Sequence, residues 1–143
     1  MSSSLRLEII TPERVFYKGE IKMVVVRTLF GEEAFLHGHL PAVKLLDTGE
    51  LAIQENDSAQ MKIASISGGF VDVKDSVVVI YTDRAEWSEE IDKARAETAR
   101  DAAIAWLKEN SHADTEEKAK RELTIKRAKS RINVSEGGRR GKQ

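Results

Sequence analysis

Residues 77–106 read VVVIYTDRAEWSEEIDKARAETARDAAIAW, and the composition of the chain changes within this stretch. Before residue 85 the sequence holds both prolines, ten of the eleven valines and all four phenylalanines, a mixture typical of short strands and tight turns. Residues 85–143 hold ten alanines, one valine and no proline, which favours helix. We therefore predict an α+β protein with a β-rich unit over residues 1–84 and a helical unit over residues 85–143.

The β-rich unit is predicted to contain nine to ten short strands. Leu5-Arg6-Leu7-Glu8-Ile9 alternates with a period of two, and glycine-containing turns punctuate the rest of the unit at close spacing. Such a pattern indicates a β-sandwich or flattened barrel. The residues that we expect in its core are Val24, Val26, Ile63, Ile66, Val71 or its neighbour Phe70, Val77 and Val79.

The helical unit is predicted to be an antiparallel hairpin. Ser88 can cap a first helix that runs to about Lys108, and Asp114 can cap a second helix that runs to about Val134. The connector between them is short, which brings the two helices side by side. The expected apolar contact between them is thin and consists of Ala94, Ala99, Ala102, Trp106, Ala119, Leu123, Ala128 and Ile132. A hairpin that buries so little apolar surface should be loosely docked and able to open.

Charge is balanced over the whole chain but separated between the two predicted helices. The chain has 23 Lys and Arg residues against 24 Asp and Glu residues. Residues 85–117 carry ten acidic and four basic side chains, a net charge of −6, whereas residues 118–142 carry ten basic and two acidic side chains, a net charge of +8. The simplest interpretation is that the two arms complement each other in a folded hairpin. The basic end from about residue 136 is predicted to be disordered.

The residue types argue against several chemistries. The chain has no cysteine, which excludes thiol catalysis and Cys-ligated metals. His37 and His39 could share one side of a strand, but the remaining histidine, His112, lies in the helix connector, and we predict no metal site. Motifs for nucleophilic catalysis or phosphate binding are absent from the sequence, so we predict no catalytic residues. The longest apolar run has six residues, too few to span a bilayer.

Two binding functions are alternatives at this point. A nucleic-acid-binding module could use the basic residues 118–142 to follow phosphates, although no aromatic side chain lies there to stack on bases. A small β protein could instead enclose a small molecule, although a unit of 84 residues leaves little room beyond its own core. Copurification with a partner protein would separate these alternatives from a structural role.

Four motifs occur in an order that resembles a known family. The matching residues are Gly31, Leu36, Gly38, His39 and Pro41; Leu46, Gly49, Leu51 and Ile53; Gly68-Gly69-Phe70; and Ile91-Asp92-Lys93-Ala94-Arg95-Ala96. Together with a β-sandwich followed by a helical hairpin, they resemble the epsilon subunit of the bacterial rotary F-type ATP synthase. The resemblance covers nearly the whole chain, from Leu5 to about Glu136.

The resemblance implies a non-catalytic rotor subunit of the central stalk. It implies that the sandwich binds the gamma subunit and the ring of c subunits and couples them in proton- or sodium-driven ATP synthesis. It also implies a position at the cytoplasmic face of the cell inner membrane, peripheral and held there only through the complex. Glu32 and His39 would lie in the loop that faces the rotor, although His39 could equally be a structural turn residue bonded to the backbone.

The resemblance further implies that the hairpin either folds on the sandwich or extends along gamma into the catalytic head, where it inhibits ATP hydrolysis. The basic arm would then contact an acidic loop of the beta subunit. The residues expected in this inhibitory contact are Lys118, Lys120, Arg121, Lys126, Arg127, Lys129 and Arg131.

Some members of this family bind ATP in the folded hairpin, and matching positions occur here. They are Glu86, Ile91, Asp92, Arg95, Ala96, Arg127 and Arg131. Arg127 and Arg131 are four residues apart and share a helical face, so they could converge with Arg95 on a triphosphate. Strong binders carry a further arginine where this chain has Ala102, so we expect weak regulatory binding and no required cofactor. Alternatively, Asp92 and Arg95 only form pairs along and between the helices that close the hairpin.

Overall fold

The computed structural model describes residues 4–140. Its ten strands are β1 (Leu5–Ile10), β2 (Val15–Ile21), β3 (Met23–Thr28), β4 (Gly31–Leu36), β5 (Ala42–Leu46), β6 (Gly49–Gln54), β7 (Lys62–Ile66), β8 (Gly69–Lys74), β9 (Val77–Tyr81) and β10 (Ala85–Trp87). A 3-10 turn at Ser88–Glu90 leads to helix α1 (Lys93–Glu109) and then to helix α2 (Thr115–Ser135). The predicted sandwich and helical hairpin are both present.

The strands form a sheet that curls into a nearly closed sandwich. Its order is β10-β7-β6-β3-β5-β8-β9-β1-β2, with β4 paired to β3. The two end strands meet through side chains, because Phe16 of β2 stacks on Trp87 of β10 with ring centroids 4.2 Å apart. Phe16 and Ala85 therefore belong to the same buried core, around the fully buried Phe35. This core depends on large apolar side chains from almost every strand.

The sequence predicted the sandwich core correctly in β3, for one of two residues in β7, and incorrectly in β9. Val24, Val26, Ile66 and Val71 are buried in this core, while Phe70 is 39% exposed. Ile63 is buried in a second cluster that includes Val134 of α2, outside the predicted core. Val77 and Val79 are only partly buried; the buried residues of β9 are Val78 and Ile80. All five residues of β9 are apolar or aromatic, so alternation could not identify the inner face. Pairing decides it, because Val77 and Val79 lie opposite the exposed Lys74 and Asp72 of β8.

The sheet extends beyond the predicted boundary at residue 84. Strand β10 pairs antiparallel with β7, with Glu86 opposite Ser65 and Trp87 opposite Ala64. The strand has only three residues, too few for a periodic signal in the sequence. The β-rich unit therefore includes Trp87, which closes the sandwich against Phe16.

The first helix begins later than predicted. Asp92, not Ser88, is its N-cap, and the Asp92 carboxylate accepts a hydrogen bond from the backbone N–H of Arg95 at 3.1 Å. Glu90 is engaged elsewhere, since its carboxylate accepts from the backbone N–H of Trp87 and from Arg14. The second helix begins as predicted, with the Asp114 carboxylate accepting from the backbone N–H of Glu117 at 2.8 Å.

The contact between the helices is thin, as predicted, but half of the eight expected residues are exposed. Ala94, Ala102, Ala119 and Leu123 are exposed, and Ala99, Trp106 and Ile132 are partly buried. Ala128 is buried as expected, together with Ala96 and Ala103. Because small residues occur on several faces of α1, the sequence could not identify the inner one. Arg121 of α2 lies over the Trp106 ring of α1, 4.5 Å from its centroid, and adds a cation–π contact.

The prediction of a disordered basic tail from residue 136 is wrong for residues 136–140. Gly137 and Gly138 donate backbone hydrogen bonds to the carbonyls of Val134 and Asn133, which ends α2 in a Schellman motif. The chain then turns back onto β6 and β4, where carboxylates hold the next two residues. Residues 141–143 lie outside the described part of the chain.

Candidate functional site

Helix α2 docks on the sandwich through polar contacts. Lys126 Nζ donates to Asp47 Oδ1 at 2.5 Å, and Arg127 Nε donates to Ser67 Oγ at 2.5 Å. A hydrogen bond of 2.7 Å joins the hydroxyls of Ser130 and Ser65. Val134 is the buried apolar residue of α2 that joins a sandwich cluster. Exposed and partly buried polar contacts of this kind stabilise only modestly, so docking is weak compared with the packing of the sandwich.

One bidentate ion pair joins α2 to the last strand. Arg131 Nε and its terminal nitrogen donate to the two carboxylate oxygens of Glu86, at 2.7 and 3.2 Å. Both side chains are about one quarter to one third exposed, at 25% and 32%. Shielding from solvent and planar geometry make this pair stronger than an isolated surface pair.

A cavity of about 950 Å³ lies between the sandwich and the hairpin. Four of the residues predicted to bind ATP line it: Glu86, Arg95, Arg127 and Arg131. The other three have different positions. Ile91 packs beside a sandwich cluster, the Asp92 carboxylate caps α1, and Ala96 is fully buried.

The cavity also contains residues that the sequence did not indicate. Arg14, Thr48, Ser67 and Arg84 line it from the sandwich side. Arg14 is bonded to Glu90 at 3.0 Å. Among residues 4–140, the guanidinium groups of Arg84 and Arg95 have no recorded carboxylate partner. Arg14, Thr48 and Ser67 are far from the helices in sequence, so only the docking of the hairpin on the sandwich brings them to the cavity.

The residues predicted for the inhibitory contact divide into two groups. Lys126, Arg127 and Arg131 are bonded to the sandwich in this docked state. Arg121 lies on Trp106, and Lys120 is 3.7 Å from Glu117 along the same helix. Lys118 is partly buried and Lys129 is exposed, and neither has a recorded partner in the described residues. A partner surface that binds Lys126, Arg127 and Arg131 would have to displace the hairpin from the sandwich.

Glu32 and His39, predicted at the rotor interface, lie in and after β4. The Glu32 carboxylate accepts a hydrogen bond of 2.6 Å from Arg140, which is the main reason that its pKa lies below the ordinary value; Arg139 and Arg27 lower it further. His39 Nε2 lies 3.6 Å from Glu33, and the His39 ring meets the edge of the Phe35 ring. The backbone N–H of His39 also donates to the carbonyl of Leu36.

An exposed apolar surface lies on the strands away from the hairpin. Val43 and Leu45 alternate on β5 and are 69% and 62% exposed. Leu45 lies opposite Phe70 of β8, and Phe70 stacks on Tyr81 of β9 with centroids 4.8 Å apart. The β3–β4 turn adds Phe30, which is fully exposed, and Leu29, which donates its backbone N–H to the carbonyl of Leu45. We call Leu29, Phe30, Val43, Leu45, Phe70 and Tyr81 the apolar surface. Contiguous exposed apolar residues are typical of protein interfaces.

Within residues 4–140, no group of three or more His, Asp or Glu side chains is placed to hold a metal ion. His37 Nδ1 instead lies 3.0 Å from the carbonyl of Ser4. None of the described helices is long and apolar enough to cross a bilayer.

Residues 4–88 match the family described as ATP synthase, Delta/Epsilon chain, beta-sandwich domain. This chain belongs to the ATP synthase delta/epsilon family. It is 35% identical over 139 residues to the ATP synthase epsilon chain of Caldicellulosiruptor saccharolyticus, a match that covers 97% of this chain and 98% of the relative. It is 46% identical over 103 residues to the ATP synthase epsilon chain of Alkaliphilus metalliredigens, covering 72% of this chain and 75% of the relative.

Chains in solved structures of mitochondrial ATP synthases have a similar fold. A chain in the Euglena gracilis mitochondrial ATP synthase, described as OSCP/F1/c-ring in rotational state 1, matches with a TM-score of 0.78 and 25% identity over 91% of this chain and 80% of that chain. A chain of the Tetrahymena thermophila mitochondrial ATP synthase, with a TM-score of 0.52 and 16% identity over 59% of this chain and 67% of that chain, shows the fold alone. As an epsilon-type member, this chain is a non-catalytic subunit of ATP synthase. These matches give no support to the nucleic-acid-binding alternative.

Proposed function

We propose that this chain couples the gamma subunit to the c ring in the central stalk and that its hairpin inhibits ATP hydrolysis. The observation that carries the proposal is the separation of two surfaces on one subunit. The apolar surface lies on β5, β8, β9 and the β3–β4 turn, whereas α2 docks on the sandwich through polar contacts. When the hairpin leaves the sandwich, the side chains of the apolar surface therefore stay in place.

The apolar surface is the proposed site for gamma and the c ring. Its centre, formed by Leu45, Phe70 and Tyr81, is apolar and aromatic, as the cores of protein interfaces usually are. Buried aromatic and large aliphatic side chains supply most of the binding energy in such interfaces. Glu32 follows the β3–β4 turn by two residues, and His39 Nε2 lies 3.6 Å from the Glu33 carboxylate. Both residues are proposed for a polar rim of the same interface.

A binding experiment with a matched control tests this assignment. Leu45→Asp should reduce recovery of the chain with gamma by at least about tenfold, because a charge would be buried at the centre of the interface. Leu123→Asp introduces the same charge at an exposed position of α2 and should leave recovery unchanged. Equal recovery of both variants would contradict the assignment.

The hairpin is the proposed inhibitor. In the extended state, Lys126, Arg127 and Arg131 leave their sandwich partners and become available, with the other basic residues of α2, to an acidic loop of the beta subunit. Deletion of residues 93–143 should raise ATP hydrolysis by the assembled enzyme several-fold and leave gamma binding intact. Unchanged hydrolysis would mean that the chain couples rotation without inhibiting it.

The cavity is the proposed site of weak regulatory ATP binding. Its volume of about 950 Å³ lies within the range of small-molecule sites, and Arg95 and Arg84 could bind phosphate oxygens. Arg131 is already paired with Glu86, and Ala102 lacks the guanidinium of stronger binders, so affinity should be near the millimolar range. ATP would then stabilise the docked hairpin without being a required cofactor.

Calorimetry with the full chain tests the nucleotide site. Arg95→Ala should abolish the heat of ATP binding, whereas Arg100→Ala, which removes a guanidinium paired with Asp101 elsewhere on α1, should retain it. Absence of heat at millimolar ATP in the unaltered chain would show that the cavity is not a nucleotide site.

The proposed location follows from the proposed partners. A subunit held by gamma and the c ring lies at the cytoplasmic face of the inner membrane and contacts the membrane only through the complex. Cell fractionation with and without the gamma subunit would test this dependence.

A further inference from the structure

The four residues Gly137-Gly138-Arg139-Arg140 form a defined turn after α2. Gly137 and Gly138 both have positive φ, at 106° and 61°, and reverse the direction of the chain. A Cβ atom on Gly138 would lie 2.6 Å from Glu50 Oε1 and 2.8 Å from Ile63 Cδ1. The second glycine is therefore required both by its backbone conformation and by close approach to the sandwich.

The Glu50 carboxylate on β6 receives this turn. Its two oxygens accept hydrogen bonds from the consecutive backbone N–H groups of Arg139 and Arg140, at 2.7 and 2.9 Å. Successive N–H groups that point to one anion form a nest, a favourable arrangement for a carboxylate. These bonds depend on the path of the backbone and not on the arginine side chains.

The Glu32 carboxylate on β4 receives the side chains. A terminal nitrogen of Arg140 donates to Glu32 Oε1 at 2.6 Å, and one of Arg139 approaches Glu32 Oε2 at 3.5 Å. The Arg140 side chain is 26% exposed and the Glu32 side chain 28%, so this pair is partly shielded from solvent. Two strands of the sandwich thus hold the four residues that follow α2.

We propose that Gly137–Arg140 is a latch that holds the hairpin in its docked position, with Glu50 and Glu32 as the acidic site that receives it. Apart from the bidentate Arg131–Glu86 pair and the buried Val134, the side-chain contacts of α2 with the sandwich are single polar bonds. The latch places backbone and charged hydrogen bonds together at the end of the helix. The hairpin cannot leave the sandwich until these bonds break. That such a movement has a regulatory use rests on the proposed function, but the latch itself is a property of the isolated chain.

The latch also links the hairpin to the rotor-facing edge of the sandwich. Glu32 is bound by Arg140 when the hairpin is docked and becomes free when the hairpin leaves. A partner that binds the free Glu32 carboxylate would therefore favour hairpin release, and release would favour binding of that partner, because such coupling is reciprocal.

Hydrogen exchange of the isolated full-length chain tests the latch. Glu50→Ala and Arg140→Ala should each raise the exchange of α2 amides by about tenfold or more, because charge-assisted hydrogen bonds are lost. Arg139→Ala keeps its backbone N–H and loses only the 3.5 Å contact, so its effect should be smaller. Asp72→Ala, which removes an exposed strand carboxylate remote from the latch, is the control.

Comparison of hydrogen exchange in α2 and in the sandwich strands distinguishes loss of the latch from a general loss of stability. Faster exchange in α2 with unchanged exchange in β1 and β9 supports the latch. If Glu50→Ala raises hydrogen exchange throughout the sandwich, the test of the latch is the exchange measured for Arg140→Ala, because this substitution alters no atom of the sandwich. Exchange in α2 of Arg140→Ala equal to that of Asp72→Ala would overturn the proposal. The hydrogen-exchange experiment does not measure ATP hydrolysis. Its result for the latch is therefore independent of whether the hairpin inhibits hydrolysis.

Discussion

The sandwich and the hairpin are stabilised in different ways although they belong to one chain. The sandwich buries large side chains such as Phe35, Leu51 and Ile80, whereas the hairpin buries mainly alanines between its helices. The hairpin docks through ion pairs and hydroxyl contacts, which lose much of their value to competition with water. Burial of large apolar groups is not weakened by competition with water. The sandwich is therefore the more stable part, and the hairpin can separate from it.

The largest expected effect comes from opening the sandwich core. Phe35→Ala should lower the free energy of unfolding by about 3–5 kcal/mol, because Phe35 is fully buried and its removal leaves a cavity. Phe30→Ala is the control, since Phe30 is fully exposed in the neighbouring turn and should change stability by less than about 0.5 kcal/mol. Denaturant unfolding measures both, and similar losses would contradict the assignment of the core.

The next largest effect concerns the boundary between the sandwich and the hairpin. A fragment of residues 1–92 should unfold cooperatively, whereas a fragment of residues 1–84 lacks Trp87 and the pairing of β10 with β7. Removing the partly buried Trp87 together with the pairing of its strand should cost about 2–4 kcal/mol, so the shorter fragment should be clearly less stable. Thermal unfolding followed by near-UV dichroism compares the two, and equal midpoints would show that β10 is dispensable.

A smaller effect is expected from the bidentate pair that joins α2 to β10. Glu86→Gln removes the charge that Arg131 binds, and we expect faster exchange of α2 amides by about fivefold to tenfold. Added salt should weaken docking of the unaltered chain but have less influence on the variant. If the amides of the sandwich strands exchanged faster by the same factor, the pair would stabilise the sandwich and not only the docking of α2.

The smallest effect is a dependence of hairpin docking on pH. Arg140, Arg139 and Arg27 face Glu32 and hold its pKa below the ordinary value of 4.5. The Glu32 contribution is therefore fully present above pH 4.5 and is lost as the pH falls through the lower pKa of the docked state. Exchange of α2 at pH 3 to 6 should show this loss in the unaltered chain and not in Glu32→Gln; identical profiles would contradict it.

Much of the fold was predictable because its signals are local. The change in composition near residue 85, the strand alternation and the cap at Asp114 each depend on neighbours in the chain. The start of α1 was misplaced because Ser88 and Asp92 are both good capping residues, and the engagement of Glu90 with Arg14, 76 positions away in sequence, is not visible locally. The inner face of β9 was misassigned for the same reason, since pairing with β8 decides it.

The sequence by itself determined the two units, the polar character of the second helix and the family to which the chain belongs. Only the tertiary structure decided which arginines line the cavity and that residues 137–140 are bound to Glu50 and Glu32. The physical reason is that a charged side chain has no preferred partner in the sequence: its partner is whichever opposite charge the packing brings near. Arg140 reads as part of a basic tail until the two glycines turn it toward a carboxylate 108 positions away.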